Sequence, residues 1–331
     1  MNGIRVSGAV VRYGDVTAVD RVSFTVSPGE VLVLLGASGS GKSSMLRAVA
    51  GLEPLAAGTV SWGDEDLRDV PVHKRGFGLV FQDGQLFPTM SVGRNVAYGL
   101  PKVPKREQRR RVAELLELVG LPGYEARKIT ELSGGQAQRV ALARSLAPAP
   151  RALLFDEPLS ALDTGLRRRL SADLTRILKD TGTTALYVTH DQEEAFAVAD
   201  SIAVLDGGRM VQLDTPEALW RRPGSTRVAE FLGYRTFVSP ATASALGWAG
   251  QAADSEVVGL GTFSLQLAND GVPVEVLDVG GYTKDGVSLS VRLPDGQQAL
   301  LLAPSPPDTG SVRVRLVSAA VTGAEQSTMD G

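Results

Sequence analysis

The segment that most restricts what this chain can fold into is Gly36–Ser43, which reads Gly-Ala-Ser-Gly-Ser-Gly-Lys-Ser. It matches the phosphate-binding pattern G-x-x-x-x-G-K-[ST]. The apolar run Val31–Leu35 before it predicts a parallel strand covered on both faces, and Ser43–Ala50 after it predicts a short helix that ends at Gly51. Glycines at such a junction let backbone N–H groups point at phosphate oxygens, and Lys42 adds a full positive charge. We therefore predict an α/β fold that binds nucleoside triphosphates, rather than a Gly/Ser-rich turn that only joins a strand to a helix.

Composition narrows the class of protein. The chain has 331 residues, of which 43% are hydrophobic and 21% charged, enough for more than one domain. Because it has no cysteine, it cannot form disulfides, thiolate metal sites or a thiol nucleophile. No window approaches the roughly 18 consecutive apolar residues of a spanning helix, so we expect a cytoplasmic chain that does not itself cross a membrane.

A second apolar run, Ala152–Glu157, ends in two carboxylates. Ligands of open parallel sheets collect at the C-terminal ends of strands, so both carboxylates should lie beside the phosphate loop. Successive residues of an extended chain point in different directions, which would separate their roles. Asp156 would join the hydroxyl of Ser43 in holding Mg²⁺, and Glu157 would deprotonate the attacking water as general base. The alternative is an acidic pair that opens a surface turn at Pro158.

A third motif, Leu132–Gln136, reads Leu-Ser-Gly-Gly-Gln and precedes a segment of helical spacing. With the two motifs above it resembles the signature of the ATP-binding-cassette (ABC) ATPases. Physically it is a second helix N-terminus that can hold an anion, with Ser133 as a hydroxyl donor. The resemblance implies that two copies sandwich two ATP molecules head to tail, in a homodimer with twofold symmetry.

Further positions fit the same resemblance by their order along the chain. Gln82 is similar to the glutamine that reaches Mg²⁺ and the attacking water, and its flanks would meet the membrane subunit. Leu159–Asp163 is similar to the loop that crosses the dimer interface. His190 is similar to the switch histidine at the terminal phosphate, and Tyr13 to the aromatic residue that stacks on adenine.

The resemblance thus assigns one site for ATP and Mg²⁺. Catalysis would depend on Glu157, His190 and Gln82, and the metal on Ser43, Gln82 and Asp156. The residues expected to contact ATP are Tyr13, Gly36, Ala37, Ser38, Gly39, Ser40, Gly41, Lys42, Ser43, Ser44, Gln82, Ser133, Gly135, Gln136 and His190.

Three segments resemble the importer branch of this family: Phe87–Val92, Asn95–Leu100 and Val188–Ala195. Such subunits power uptake of iron(III), thiamine, polyamines, sulfate or sugars, and a small β-rich domain follows their ATPase domain. We therefore expect an ABC ATPase domain over 1–235, with a RecA-like core and a helical subdomain at about 84–150. A β-rich regulatory or dimerisation domain would occupy 236–331.

The C-terminal region supports that division. Short apolar or alternating runs separated by Gly, Pro and Asp predict a small all-β barrel or sandwich, at Val272–Leu277, Val287–Leu293, Ala299–Leu302 and Val312–Val317. Its OB-like or TOBE-like character is an implication of the resemblance.

Charge argues against nucleic acid as a partner. From Thr236 onward there are four basic and ten acidic residues, which is not the concentrated basic face of a duplex-binding protein. The one basic run, Lys102–Arg111, leads into helical spacing and is interpreted as the solvated face of an amphipathic helix.

The leading functional hypothesis is an ATPase on the inner face of the cell membrane that drives two transmembrane permease subunits. An extracytoplasmic solute-binding protein would take part indirectly. The sequences of the three segments that resemble the importer branch favour iron(III) or thiamine as the solute. The alternatives are a soluble ABC ATPase acting on DNA or ribosomes, and the energising subunit of an exporter. Soluble relatives usually have a coiled-coil insertion or two fused cassettes, and this chain has neither.

Overall fold

The computed structural model describes residues 3–81, 85–160, 162–307 and 309–323. Its contacts divide the chain into two units, Met1–Pro216 and Glu217–Gly331. This division comes earlier than the predicted boundary after residue 235, because the intervening segment packs on the second unit. There the Arg235 N–H donates to the Leu260 carbonyl at 2.9 Å, and Arg222 Nη1 lies 3.6 Å from Glu256 Oε1.

A six-stranded sheet, in the order β10-β9-β3-β8-β7-β6, forms the centre of the first unit. Its strands are β3 (Val31–Leu35), β6 (Phe77–Phe81), β7 (Ala152–Asp156), β8 (Thr184–Thr189), β9 (Ser201–Asp206) and β10 (Arg209–Asp214). All pairs are parallel except β9 with β10. Every residue of β3, β7 and β8 is buried, as expected for apolar strands covered on both faces.

A second sheet of the first unit is antiparallel, in the order β2-β1-β4-β5. Its strands are β1 (Ile4–Tyr13), β2 (Val16–Val26), β4 (Ala57–Trp62) and β5 (Glu65–Asp66). Side chains of β1 and β2 share one buried cluster with Leu32 and Leu34 of β3 and with Met45 and Leu46 of the following helix. The sequence motifs did not predict this sheet.

The helices of the first unit lie between strands of the central sheet in the sequence. They are α1 (Lys42–Ala50), α2 (Val92–Ala97), α3 (Lys105–Leu118), α4 (Gly134–Leu146), α5 (Thr164–Thr181) and α6 (Gln192–Val198). Helix α1 ends at Gly51 as predicted. Helix α3 buries Val112, Leu115 and Leu116, which confirms the amphipathic helix inferred for the basic run. Helices α2 to α4 fall within the segment predicted as a helical subdomain.

The second unit is mainly β. Short helices α7 (Pro216–Arg221), α8 (Thr226–Phe231) and α9 (Pro240–Ala245) accompany two antiparallel sheets. One sheet contains β11 (Thr236–Val238), β12 (Glu256–Leu260) and β17 (Ala320–Gly323). The other contains β13 (Leu265–Thr283), β14 (Gly286–Arg292), β15 (Gln298–Ala303) and β16 (Ser311–Leu316). Each of the four predicted runs lies in a strand of this second sheet or at its end, and both sheets contribute to one core.

None of the helices that the structure describes has both the length and the apolar character required to cross a membrane.

Candidate active site

Three neighbouring strands of the central sheet bring the predicted motifs to one edge. Strand β8 lies between β3 and β7, and the three run parallel. The register pairs Leu35 with Thr189 and Asp156 with Val188, so the three chains leave the sheet at the same level. The phosphate loop therefore follows β3 beside the carboxylates that end β7 and the histidine that follows β8.

Glycine is required at two points of the phosphate loop. Gly41 has φ 94°, and a Cβ there would lie 2.2 Å from the Ala18 carbonyl oxygen. A Cβ on Gly36 would lie 2.3 Å from the Leu205 carbonyl oxygen. Since real Cβ atoms do not approach so closely, the backbone can follow this path only without side chains at these positions. The loop is thus enclosed by β2 on one side and β9 on the other.

Lys42 lies inside the loop, with only 3% of the residue exposed. Its Nζ donates to the Gly36 carbonyl at 2.9 Å and the Ala37 carbonyl at 2.8 Å, with the Ser40 Oγ at 3.4 Å. Burial lowers the pKa of the Lys42 ammonium, an effect opposed by the nearby charges of Glu157 and Asp156. These oxygens offset the cost of burying the ammonium where the loop would receive a phosphate.

Ser43 and Asp156 meet beside the lysine. The Ser43 hydroxyl donates to Asp156 Oδ1 at 2.7 Å, and Arg47 Nη2 lies 3.7 Å from Asp156 Oδ2. A hydroxyl and a carboxylate are oxygen donors of the kind that Mg²⁺ takes beside substrate phosphates. The residues present therefore fit the predicted magnesium ion, with Ser43 and Asp156 as the groups that would hold it.

Glu157 departs from the extended backbone on which the prediction of separate roles relied. Strand β7 ends at Asp156, and Glu157 adopts a left-handed conformation with φ 47°. Such a conformation costs a non-glycine residue about 1–3 kcal/mol and persists only where its surroundings enforce it. Here the Glu157 N–H donates to the Val188 carbonyl at 3.0 Å, and the Ser160 hydroxyl donates to the Glu157 carbonyl at 2.9 Å. The two carboxylates do have separate partners, Ser43 for Asp156 and His190 for Glu157, but Glu157 lies beyond the end of the strand, so strand alternation does not account for the separation.

Glu157 and His190 form a pair across the ends of β7 and β8. His190 Nδ1 lies 3.0 Å from Glu157 Oε2. A carboxylate can only accept, so Nδ1 carries the shared proton, while Oε1 of the glutamate and Nε2 of the histidine remain outside this contact. The pair is partly exposed and can reach a substrate.

Tyr13, the last residue of β1, is 43% exposed. Its hydroxyl donates to Ser44 Oγ at 3.3 Å, which places the ring beside the first turn of α1. An exposed aromatic ring next to the phosphate loop can stack on a base.

The Leu-Ser-Gly-Gly-Gln motif begins α4. The Ser133 N–H donates to Gln136 Oε1 at 3.0 Å, and the Gln136 N–H donates to Ser133 Oγ at 3.4 Å, which is a capping box. A Cβ on Gly135 would lie 3.1 Å from Leu166 of α5. Within the described part of the chain, no hydrogen bond or ion pair joins Ser133–Gln136 to Gly36–Ser44. The two predicted phosphate-binding regions of one chain therefore form separate groups.

The structure thus brings six of the predicted residues into three contacts: Ser43 with Asp156, Glu157 with His190, and Tyr13 with Ser44. Gln82 lies outside the described residues, so its assignment stays a prediction, as do the catalytic and binding roles of the others.

Sequence reasoning missed a buried network below His190. Tyr187 and Thr189 both donate hydroxyl hydrogen bonds to Glu194, whose residue is 3% exposed. Burial raises the pKa of the Glu194 carboxyl. Asp191 caps α6, since its Oδ1 accepts from the Glu194 N–H at 3.0 Å, and it pairs with Arg167 of α5. The spacing Asp191-x-x-Glu194 is that of a helix start and could have indicated these residues.

The sequence of this chain is similar to those of known proteins. Residues 19–160 match the family model described as ABC transporter. The Fe(3+) ions import ATP-binding protein FbpC of Streptomyces coelicolor is 50% identical over 254 residues, covering 76% of this chain and 71% of the relative. The spermidine/putrescine import ATP-binding protein PotA of Acidothermus cellulolyticus is 43% identical over 296 residues, covering 88% and 76%.

Two solved structures are also similar. The structure of cbiO1 from Clostridium perfringens, part of the ABC transporter complex cbiONQ, has a TM-score of 0.62 at 28% identity. The match covers 66% of this chain and 91% of that one. A dimeric ATP-binding cassette in a post-hydrolysis state, bound to ADP and Pi, has a TM-score of 0.57 at 29% identity, covering 64% and 98%.

Proposed function

This chain belongs to the ABC transporter family as an ATP-hydrolysing subunit of the importer type, and on that premise we propose that it powers uptake of iron(III). The single observation that carries the mechanism is the meeting of the Lys42 loop, the Ser43–Asp156 contact and the Glu157–His190 pair at three adjacent strand ends.

ATP binding uses the loop and the first turn of α1. The N–H groups of Gly36–Ser44 and the Lys42 ammonium receive the phosphates, and Tyr13 stacks on adenine. Ser43 and Asp156, with Gln82 as a further predicted ligand, would hold Mg²⁺. When bound, the ion supplies positive charge that neutralises the phosphate oxygens.

Hydrolysis uses the pair at the ends of β7 and β8. Glu157 Oε2 accepts from His190 Nδ1, so Oε1 is the oxygen that accepts the proton of the attacking water. The same hydrogen bond fixes the imidazole, whose Nε2 contacts the terminal phosphate. Asp156 contacts Ser43 and Glu157 contacts His190, so the first carboxylate would serve the metal and the second the water.

Each ATP site is completed by a second copy of the chain. Within one chain Ser133–Gln136 are not joined to the phosphate loop, yet they form a helix N-terminus suited to an anion. In a head-to-tail homodimer the partner's α4 would face the ATP held by this chain, and the arrangement would be isologous. ATP would close the dimer and its hydrolysis would open it.

The motion acts on a transporter in the membrane. Two permease subunits bind the dimer on the cytoplasmic face, and an extracytoplasmic solute-binding protein delivers the solute. Of the relatives described above, the iron importer subunit has the higher identity, which favours iron(III) over polyamines. None of those relatives is named for thiamine, so thiamine is the weaker assignment.

The test is transport by the reconstituted complex. The chain is purified from native membranes with its permease, identified by mass spectrometry, and the complex is placed in vesicles with ATP on the side of this subunit. We expect ATP-dependent uptake of radiolabelled iron(III) in the presence of the solute-binding protein. Uptake of spermidine or thiamine without iron(III) would contradict the solute assignment alone, whereas outward transport would contradict import.

A further inference from the structure

Both neighbours of His190 in the chain are held in place. On one side Thr189 donates to Glu194 Oε2 at 2.6 Å, inside the buried network with Tyr187. On the other side the Asp191 N–H donates to Thr189 Oγ1 at 3.0 Å, and Asp191 caps α6. The backbone that carries the imidazole is therefore anchored to β8 and to α6 by hydrogen bonds on both sides.

Arg167, in the first turn of α5, connects this backbone to a different segment. Its Nη1 pairs with Asp191 Oδ2, and its Nη2 donates to the Leu162 carbonyl at 3.0 Å. The side chains of Arg167 and Asp191 are only 23% and 21% exposed, so water screens the pair less than it would on the open surface. A planar guanidinium can hold two acceptors at once in a fixed geometry.

The contacts form a closed ring. The chain runs from Glu157 to Leu162, whose carbonyl is bound by Arg167, and Arg167 is paired with Asp191. Asp191 is joined covalently to His190, and His190 Nδ1 returns to Glu157 Oε2 at 3.0 Å. Loss of the arginine would open this ring opposite the Glu157–His190 contact.

We infer that Arg167 is a positioning residue for ATP hydrolysis, which keeps His190 and Glu157 in register by tying the segment after Glu157 to the residue after His190. The inference rests on the proposed function of that pair. Because Leu162 belongs to the segment whose sequence is similar to the interface-crossing loop, the same arginine would transmit displacement of that loop to the histidine.

A neighbouring arginine offers a matched control. Arg168 also joins α5 to α6, through a bidentate pair with Glu193 at 2.7 and 2.8 Å. This pair is more exposed, with both side chains more than half accessible. If Arg167 only held two helices together, removal of either arginine should have similar consequences.

The experiment measures steady-state ATP hydrolysis by the purified chain, with thermal unfolding of each variant. We expect Arg167→Gln to lower kcat by about tenfold to a hundredfold, since small misplacements of catalytic groups cost that much. KM for ATP should stay close to the parent's, because the phosphate loop is untouched. Arg167→Lys should restore part of kcat. Arg168→Gln should keep the parent's kcat.

Asp191→Asn tests the ion pair without removing the helix cap, because asparagine is an equally good capping residue. We expect it to lower kcat in the same direction as Arg167→Gln. If Arg167→Gln does not give a cooperative unfolding transition, Arg167→Lys and Asp191→Asn decide the question in its place.

The decisive measurement is kcat of the double variant that combines Arg167→Gln with His190→Ala. A residue that acts through His190 should add no further loss of kcat once the imidazole is gone. Multiplicative losses, equal losses for the two arginines, or parent-like kcat in Arg167→Gln would each overturn the inference. Parent-like turnover by His190→Ala alone would instead contradict the proposed role of the pair.

Discussion

Helices α1 and α4 both begin in glycine-rich segments, but they satisfy their first N–H groups differently. Helix α1 begins after Gly41, with no side-chain hydrogen bond at its cap, and the buried side chain of its first residue, Lys42, reaches back into the preceding loop. Helix α4 begins after Ser133, whose hydroxyl and the Gln136 amide close a reciprocal capping box. Helix α1 therefore leaves its first N–H groups for a ligand, whereas in α4 the capping box already uses the Ser133 and Gln136 N–H groups and leaves fewer donors for an anion.

The largest effect is expected when the positive charge of Lys42, which distinguishes the α1 site, is removed. Lys42→Ala should lower ATP turnover by about a thousandfold, because a preorganised donor to the phosphates is lost. Phosphate release from ATP measures it. Lys74→Ala, in the 3-10 turn Val72–Lys74, removes a lysine away from this loop and is the control. Near-parent turnover of Lys42→Ala would contradict the role of this lysine.

Glu157→Gln should separate ATP binding at the α1 site from ATP hydrolysis there. The amide cannot take the proton of water, so turnover should fall by about a hundredfold while ATP remains bound. Binding of a fluorescent ATP analogue and single-turnover hydrolysis measure the two properties. We also expect ATP to trap the variant as a dimer, and hydrolysis at the parent rate would require another base.

Ser133→Arg should change only the α4 contribution to the shared site. The lost hydroxyl contact and the added bulk should weaken the ATP-dependent dimer by at least about tenfold. Nucleotide binding to the monomer should be unchanged, because Ser133 is not joined to the phosphate loop of its own chain. Analytical ultracentrifugation with and without ATP provides the measurement. A dimer that forms at the parent's concentration would contradict the shared site.

The smallest effect is expected from a variant that removes the side-chain cap of α4. Ser133→Ala should reduce the free energy of unfolding by about 1 kcal/mol, the usual cost of a lost cap. Ser91→Ala removes the corresponding cap of α2, where the side chain accepts from the Arg94 N–H, and should cost a similar amount. Only Ser133→Ala should also weaken the dimer. Equal dimer affinity in both alanine variants would mean that the Ser133 hydroxyl serves only its own helix.

The positions of the residues at the strand ends could be predicted, because parallel strands in register end at the same edge of a sheet. An apolar run followed by a polar residue fixes which residues leave the sheet together, and Ser43 and Asp156 duly meet at 2.7 Å. The predicted helix at Lys42–Ala50 and the strands of the second unit followed from equally local signals.

The features that could not be predicted depend on contacts between residues that are far apart in the sequence. The antiparallel sheet is interrupted by register shifts between Val6 and Ala9 and between Ala9 and Val11, which disturb simple alternation. The left-handed Glu157 is imposed by β8 and Ser160, and nothing in its own propensity suggests it. The Arg167–Asp191 pair joins two helices that a whole strand separates in sequence.

The crowding at Gly41 has a consequence for any shortened version of this protein. The carbonyl that leaves no room for a Cβ there belongs to Ala18 of β2, in the sheet that carries none of the motifs except Tyr13. A chain begun after residue 30 would keep the whole Gly36–Ser43 motif but lose one wall of its binding loop. The smallest active fragment must therefore start upstream of the region that sequence motifs alone would delimit.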